Sequence, residues 1–371
     1  MREHRQIIER WRQGASSALI TLVRVQGSSY RRTGAKLLVS NDGSYEGSVS
    51  AGCLEADLLR KAAWLTRNGA SVERYSTLFD EDAEIPFGLG CGGVLDLLLE
   101  PAATVECQAL MQAIESSLAG KESLVATWLP GSGRKLARAI FELDGERVFA
   151  SSELSAEELC EARITSLRGI PSDGSTLFLE RLSAPQRLFV FGAGNDAKPL
   201  VSMASLLGWS VIVTDGRSNL TRRERFPELV SRVNWTPEAA VKEITPRDAV
   251  VIMTHSFEQD RDTLASVLPQ KPRYLGLLGS RQRSAFLITD VAARLNRSVS
   301  ECCDDVNAPI GLDIGGEGAE AIALAIVAEV QACCSGKDSE SRRLSADRIR
   351  QYVSDNSGQS YQSTQCSLGA I

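Results

Sequence analysis

Two patterns of hydrophobic and polar positions divide the chain near residue 185. Before this point, short strand-like segments are mixed with helical periodicity and polar loops, which is typical of an α+β domain. After it, strands that are apolar throughout alternate with amphipathic helices, which predicts a parallel sheet covered by helices. We therefore predict an α/β protein with domains at 1–184 and 185–335, and we expect the polar segment 336–371 to be a mobile tail.

In the first domain, apolar residues recur at helical spacing in three segments and at strand-like density in five. The predicted helices are 4–13, a helix that begins near Cys53, and 104–119. The predicted strands are 18–25, 36–39, 94–100, 124–128 and 177–180. This mixture without a repeating βαβ order indicates the α+β class.

The second domain opens with a strand, a glycine-rich turn, a helix and a second strand. The strand Arg187–Phe191 leads into Gly192-Ala193-Gly194-Asn195-Asp196-Ala197, a helix at 199–207, and a strand at 210–214 that ends at an acid. A G-x-G-x-x-A turn in this context, with an acid about 20 residues later, is typical of nucleotide-binding units. The cofactor-binding candidates are therefore the turn residues and this acid: Gly192, Gly194, Asn195, Ala197 and Asp215.

Two further predicted strands, 249–254 and 274–278, end at the carboxyl edge of the same sheet, where open parallel sheets bind ligands. His255, one of only two histidines, follows the first strand and is a candidate catalytic residue. A histidine that only hydrogen-bonds within the fold is the alternative. The segment Gly279-Ser280-Arg281 follows the second strand and begins a helix, so its amides and guanidinium are candidates to bind an anion.

Two cysteines lie in glycine-rich frames, which let the backbone approach a bound group closely. Cys53 stands in Ser48–Glu55 and Cys91 in Phe87–Gly93. The predicted helix N-terminus near Cys53 favours thiolate, a better nucleophile and soft-metal ligand than thiol. We therefore consider Cys53 and Cys91 as catalytic candidates or soft-metal ligands, although a buried structural cysteine is the alternative and the spacing forms no zinc site. The neighbouring cofactor-binding candidates are Gly52, Glu55, Gly90 and Gly92.

The loop 26–36, between the first two predicted strands, contains small hydrogen-bond donors and three cations. Two interpretations are open for this loop. It is either a cradle for a phosphate or carboxylate, or a solvated hairpin connection.

Composition narrows the class of protein. The 41 basic and 47 acidic side chains give a net charge of -6, without a basic stripe, so we expect no nucleic-acid partner. No apolar run approaches the roughly 20 residues of a membrane span, and the amino end lacks the apolar centre of a signal peptide. Nine cysteines, an odd number, are unlike a secreted disulfide framework. We therefore expect a cytoplasmic protein that has no association with membranes.

Several motifs, taken in order, resemble the XdhC/CoxI family of xanthine dehydrogenase accessory proteins over about residues 5–335. The segments that carry the resemblance are 27–36, 47–55, 88–93, 191–194, 254–255, 276–281 and 309–315. The resemblance implies an N-terminal XdhC/CoxI domain, a C-terminal Rossmann-like domain and a homodimer. It also implies a chaperone rather than an enzyme, which binds the molybdenum cofactor (molybdopterin), assists its sulfuration and inserts it into a xanthine dehydrogenase-type molybdenum hydroxylase.

In this hypothesis the turn from Gly192 to Asn195 holds a phosphate of the pterin, and Asp215 accepts from a ribose hydroxyl if the pterin carries a nucleotide. Cys53 or Cys91 supplies the soft contact to molybdenum, and a cysteine desulfurase is the expected sulfur donor. The chain departs from the family pattern at Asn195, where the family commonly has histidine, and at Tyr30. A role that needs an imidazole at position 195 is therefore not expected, whereas binding through backbone amides is.

Two other functions are consistent with the same sequence. An NAD-dependent oxidoreductase would use the Rossmann turn for NAD or another nucleotide, His255 as proton donor and Arg281 as anchor for a carboxylate. A non-catalytic docking adaptor would use neither Cys53 nor Cys91. Saturable NAD(H) binding together with turnover of carbonyl substrates would favour the oxidoreductase. Activation of the target hydroxylase that is unchanged in Cys53→Ser and Cys91→Ser would favour the docking adaptor.

Overall fold

The computed structural model describes residues 1–50, 52, 54–76, 93–131, 133–143, 146–168, 176–217, 220–221, 225–226 and 233–337. The described chain divides by contacts into an N-terminal unit, Glu3–Ala184, and a C-terminal unit that begins at Pro185 and includes Met1–Arg2. Residues 338–371, which make up most of the expected tail, lie outside the described residues, as do Cys53, Gly90, Cys91 and Gly92.

The N-terminal unit contains two antiparallel sheets. The first has the strand order β3-β2-β1-β5-β4 and the second the order β8-β7-β6-β9. The strands are β1 (Ser16–Gly27), β2 (Lys36–Ser40), β3 (Tyr45–Gly47), β4 (Ser71–Ser76), β5 (Gly93–Pro101), β6 (Ser123–Trp128), β7 (Ala137–Glu142), β8 (Arg147–Ala150) and β9 (Leu177–Leu182).

Four helices cover these sheets. They are α1 (Arg2–Arg12), α2 (Glu55–Leu65), α3 (Val105–Leu118) and α4 (Ala156–Arg168). Side chains of α1 and α3 form one core with residues of both sheets, including Leu19 of β1 and Val125 of β6. Leu58 of α2 packs against the opposite face of the first sheet, and Ala162 of α4 packs against the second sheet. This unit is therefore an α+β domain with α1 and α3 between two sheets.

A buried ion pair joins the two sheets of this unit. Arg138 on β7 makes two hydrogen bonds, of 2.9 and 3.0 Å, to the carboxylate of Glu100 on β5, and both side chains are at most 1% exposed. The guanidinium also donates to Thr127 Oγ1 and to the carbonyl oxygen of Glu106. Because its donors meet acceptors on two strands, one from each sheet, and on a helix, this arginine holds the two sheets together.

The C-terminal unit is a parallel five-stranded sheet with the order β12-β11-β10-β13-β14. Its strands are β10 (Arg187–Phe191), β11 (Ser210–Thr214), β12 (Val233–Trp235), β13 (Ala249–Ile252) and β14 (Tyr274–Leu277). Its helices are α5 (Ala197–Leu206), α6 (Pro237–Glu243), α7 (Phe257–Val267), α8 (Arg281–Leu295), α9 (Val299–Asp305) and α10 (Ala319–Cys334). Helices α5 and α10 pack on one face of the sheet, and α6 to α9 pack on the other.

This arrangement confirms the predicted fold class, with an α+β unit followed by a Rossmann-like parallel sheet. The bounds differ in places. Helix α2 begins at Glu55, two residues after Cys53, as predicted. Helix α5 begins at Ala197 rather than at Pro199, so that Pro199 lies in its first turn, where its missing N–H is tolerated. Among the described helices, none has the length and apolar character of a membrane span.

Five elements of the N-terminal unit are not predicted by the hydrophobic pattern of the sequence: β3, β4, β7, β8 and α4. Strands β3, β4 and β8 are short and half-exposed, so their apolar residues do not stand out from those of neighbouring loops. Strand β7 is buried but contains Arg138 and alanines, which lower its strand propensity.

Candidate functional site

The carboxyl edge of the C-terminal sheet contains a topological switch point between β10 and β13. The chain leaves β10 toward α5 on one face of the sheet and leaves β13 toward α7 on the other. A crevice forms where adjacent strands connect to opposite faces, and open α/β sheets bind ligands there. The glycine turn after β10 and the segment 253–256 after β13 lie on either side of this point.

Gly192 allows the turn to pack directly against the end of β13. Its φ is +122°, and a Cβ at this position would overlap the carbonyl oxygen of Met253. Its amide donates to the carbonyl oxygen of Thr214 at 2.8 Å. The amides of Gly194 and Asn195 have no hydrogen-bond partner within the described residues. The turn therefore has two free backbone donors next to the N-terminus of α5, the start of which is Ala197.

Asp215 holds this turn from the end of β11. One carboxylate oxygen accepts from the amide of Ala193 at 2.9 Å and from the Arg217 guanidinium at 2.8 Å, and the other accepts from the amide and Nε of Arg217 at 2.9 Å. Burial raises the pKa of Asp215, but the hydrogen bonds from Arg217 and Ala193 outweigh it and leave the pKa below its ordinary value. A ribose hydroxyl, the predicted partner of Asp215, would compete with Arg217.

His255 and Asp196 face each other across the switch point. His255 Nε2 lies 2.7 Å from Asp196 Oδ2, and the His255 side chain is 61% exposed. His255 has a φ of +64°, a conformation that is uncommon for residues other than glycine and often marks a functional position. The pair can accept, donate or hold a proton, because the carboxylate orients the imidazole.

A buried network supports the backbone that carries His255. The amide and hydroxyl of Thr254 donate to Asp260 Oδ1 at 3.1 and 2.6 Å. The other oxygen of this fully buried carboxylate lies 2.7 Å from the guanidinium of Arg283. The sequence analysis assigned the anion-binding role to Arg281, not to Arg283. Arg283 reaches inward from the first turn of α8, whereas Arg281 is exposed and has no partner in the described part of the chain.

The remaining residues of this edge are placed as follows. Ser280 is the N-cap of α8, and its hydroxyl accepts from the amide of Arg283 at 3.2 Å. Gly279 precedes it with a φ of +157°. Arg225 donates to the carbonyl oxygen of Ala193 at 3.3 Å and to Asn195 Oδ1 at 3.2 Å. The sequence analysis missed Arg225, since a cation 30 residues from the turn carries no local signal.

In the N-terminal unit, Glu55 organises the loop that precedes α2. Its carboxylate, 4% exposed, accepts from the amides of Val49, Ser50 and Gly52 at 3.0, 2.7 and 3.0 Å. The hydroxyls of Ser48 and Ser50 also donate to it. Burial raises the pKa of Glu55, but the hydrogen bonds from Ser50 and Ser48 outweigh it and hold the pKa below its ordinary value. All five groups donate to the carboxylate, so within the described residues Glu55 holds the backbone rather than facing outward.

The described cysteines are all free thiols. Cys107 and Cys302 are buried, Cys160, Cys303 and Cys333 are exposed, and Cys334 is half-buried. Over the described residues, no three histidine, cysteine or acidic side chains converge in a way that could hold a metal ion. The roles predicted for Cys53 and Cys91 fall on residues outside this part and remain predictions.

Comparisons with known proteins match both units. Residues 10–76 match the XdhC and CoxI family, and residues 188–330 match the XdhC Rossmann domain. A protein from Bacillus subtilis (strain 168), which is named as a probable xanthine dehydrogenase subunit, is 29% identical over 318 residues, which are 85% of this chain and 92% of the relative. The "Molybdenum cofactor insertion chaperone PaoD" of Escherichia coli (strain K12) is 25% identical over 336 residues, 88% of each chain.

A solved structure is also similar. A crystal structure described as a xanthine dehydrogenase from Bacillus halodurans matches with a TM-score of 0.75 and 29% identity, over 93% of this chain and 98% of the other. The relatives therefore share the whole two-unit architecture and not one domain alone. With both units matched in order and the predicted resemblance confirmed, the chain belongs to the XdhC and CoxI family.

Proposed function

We propose that this protein binds the molybdenum cofactor, assists its sulfuration and inserts it into a xanthine dehydrogenase-type molybdenum hydroxylase. The observation that carries the proposal is the match, over 88% of both chains, to a relative named as a molybdenum cofactor insertion chaperone. The cofactor is the cargo in this role and leaves with the target enzyme. The relative named as part of a xanthine dehydrogenase supports this class of target.

The switch-point crevice supports this role through its donors. A pterin phosphate needs amide and cationic donors, and the turn offers the free amides of Gly194 and Asn195 with the Arg225 guanidinium beside them. These donors hold a phosphate without reacting with it, as a carrier protein requires. Asp196 places a carboxylate at the same turn, and its contact with His255 offsets that charge when the imidazole is protonated.

We assign the binding of molybdenum itself to the glycine-rich segments around Cys53 and Cys91. A thiolate is a suitable reversible ligand for a soft metal, and Gly52, with a φ of +105°, begins the backbone turn held by Glu55. In this proposal Cys53 or Cys91 contacts the metal, a cysteine desulfurase supplies sulfur, and the protein acts as a homodimer in the cytoplasm.

The test is purification without oxygen from cells supplied with molybdate, followed by metal analysis and mass spectrometry for the pterin. We expect pterin and molybdenum in the parent, and less in Cys53→Ser and Cys91→Ser. Cys160→Ser, an exposed cysteine on α4, is the matched control and should retain both. Absence of pterin and molybdenum from every preparation would overturn the proposal.

A second experiment tests insertion. Cofactor-free target hydroxylase is mixed with the loaded parent, and its activity should appear faster than with free cofactor alone. Activity that appears at the same rate with and without the protein would argue against a chaperone. Activation of the target by both cysteine variants as efficiently as by the parent would instead favour the docking adaptor.

One observation favours the oxidoreductase as a second candidate. The Asp196–His255 contact is the arrangement in which a carboxylate orients an imidazole for proton transfer to a carbonyl. This candidate requires saturable NADH binding, measured by fluorescence, together with turnover of carbonyl substrates that falls in His255→Gln. Binding without turnover by any carbonyl substrate would exclude it.

A further inference from the structure

The N-terminal unit contains a polar cavity that the proposed function does not use. It has a volume of about 360 Å³. Its walls are Glu3 and His4 of α1 and the loop 30–35, which connects β1 to β2. The cavity is shallow and open to solvent over most of its surface, so it suits a small polar group rather than an enclosed ligand. The loop is the one for which the sequence left two interpretations open, an anion cradle or a solvated connection.

The charges around this cavity leave one cation unpaired. Arg31 forms an ion pair with Glu3, and the buried Lys36 Nζ lies 2.6 Å from Glu180 Oε2. Lys36 also donates to the carbonyl oxygen of Gly34 at 3.1 Å. Arg32 is exposed and has neither an ion pair nor a hydrogen bond to any described residue. Of the three cations of this loop, Arg31 and Lys36 are therefore paired with carboxylates, whereas Arg32 is not.

The backbone of the loop adds a row of donors. The amides of Tyr30, Arg31, Arg32 and Thr33 have no hydrogen-bond partner in the described ranges, while the next two amides donate to carbonyl oxygens of Leu22 and Arg32. Successive free amides in a turn form concave sites that suit anions. A solvated hairpin connection would explain the free amides alone. An anion cradle also explains why the unpaired guanidinium of Arg32 lies in the same loop as these amides.

His4 supplies a further polar group on the cavity wall. Its Nδ1 is buried and has no hydrogen-bond partner among the described residues. Burial, followed by the charges of Lys36 and Arg31, lowers the pKa of His4 to about 3, so the imidazole is neutral at pH 7. Because Nδ1 is inaccessible to solvent, His4 contributes a neutral wall to this site and not a donor to a ligand.

We propose that the cavity formed by His4 and the loop 30–35 binds the phosphate group of a small phosphorylated molecule. The Arg32 guanidinium pairs with the phosphate oxygens, the free loop amides donate to them, and the neutral His4 lies beside the site. The volume accommodates an organic group attached to the phosphate. This site belongs to the N-terminal unit and does not depend on the glycine turn of the Rossmann sheet.

The first test is calorimetric titration of the full chain with inorganic phosphate at pH 7 and constant ionic strength. We expect saturable binding in the parent and about tenfold weaker binding in Arg32→Ala, since one charge-assisted pair is lost. Arg163→Ala, another exposed arginine of the same unit, is the matched control and should bind like the parent. Titration with phenyl phosphate then tests whether the site accepts an organic group on the phosphate. Phenyl phosphate should bind at least as tightly as inorganic phosphate.

The second test uses the two histidines as reporters. Imidazole resonances of His4 and His255 are assigned with His4→Gln and His255→Gln, and phosphate is added. The resonance of His4 should move along the same saturation curve as the calorimetric signal, and Arg32→Ala should shift that curve to higher phosphate.

Three results would overturn the proposal. They are the absence of saturable binding, equal binding by the parent and Arg32→Ala, and movement of the His255 resonance alone. The last result would assign phosphate to the Rossmann turn, so it would refute this site while supporting the cofactor-binding proposal. The two proposals can therefore fail separately.

Discussion

Replacing Glu55 with glutamine tests whether this carboxylate holds the backbone before α2. Glutamine keeps one acceptor oxygen and can satisfy Val49, Ser50 and Ser48 as the native oxygen does. Its NH2 group then takes the position of the second oxygen and meets the amide of Gly52, which is itself a donor. The amide of Gly52, an exposed residue, then turns to water for an acceptor, and the remaining bonds lose their charge.

Hydrogen bonds to a charged group are worth about 1.5–3 kcal/mol instead of about 1 kcal/mol. Because the bonds from Val49, Ser50 and Ser48 lose this charge, we expect Glu55→Gln to lower the local stability of the loop by about 1–2 kcal/mol. Hydrogen exchange at Val49, Ser50 and Gly52 measures this local free energy. Glu153→Gln, an exposed glutamate without a described partner, is the control and should leave it unchanged.

The stability of the loop before α2 should also depend on pH through the ionisation of Glu55. The pKa of Glu55 is lower in the folded chain than in the unfolded one, so its contribution is present above the unfolded value and is lost as pH falls through the folded value. The difference between the parent and Glu55→Gln should therefore be largest near neutral pH and shrink below pH of about 4. Equal exchange rates in the parent and the variant at pH 7 would refute the role assigned to this carboxylate.

Three further predictions concern the stability of the two units. Arg138→Met leaves the carboxylate of Glu100 buried without its partner and should lower the free energy of unfolding by about 3–5 kcal/mol in urea denaturation; the double variant with Glu100→Gln should recover part of this loss. Gly192→Ala should cost at least about 2 kcal/mol in the same assay, because of its positive φ and the overlap with a backbone oxygen, whereas Gly216→Ala, where no atom lies within 4 Å, should cost little. His4 has a pKa of about 3 in the folded chain against 6.5 unfolded, so stability should fall by about 1.4 kcal/mol per pH unit as pH drops between these values; this slope should be shallower in His4→Gln.

The sequence pattern located four of the five described strands of the C-terminal sheet because their signals are local, but it did not predict β12, α6 or α9. Strands β10 and β11 match the prediction residue for residue, since a parallel strand is buried on both faces and is apolar throughout. The glycine turn was found for the same reason, because its spacing lies within one βαβ unit. Edge strands such as β3 and β8 have one exposed face and few residues, so their pattern resembles that of loops.

The partners of the site residues depend on contacts that no local pattern contains. Asp196 and His255 are 59 residues apart, and Arg225 reaches a turn 30 residues before it. Periodicity and spacing place residues at a sheet edge, but the rotamers and the loop paths decide which side chains meet there. The sequence therefore predicted the edge and its glycines, but not the imidazole–carboxylate pair or the guanidinium.

The acids at the two candidate sites illustrate the same limit. Glu55 and Asp215 were predicted to face a cofactor, because acids near glycine turns often bind ligand hydroxyls. In the structure Glu55 accepts from backbone amides of its own turn, Asp215 accepts from the amides of Ala193 and Arg217, and both have a lowered pKa. The cofactor contacts of these two acids stay predictions. A carboxylate surrounded by amide donors is a structural anion, and replacing it changes the turn before it changes any ligand contact. Binding at the N-terminal cavity is therefore tested more directly by Arg32→Ala than by acid variants, because the Arg32 side chain has no hydrogen bond or ion pair within the described residues and its loss leaves the backbone supported.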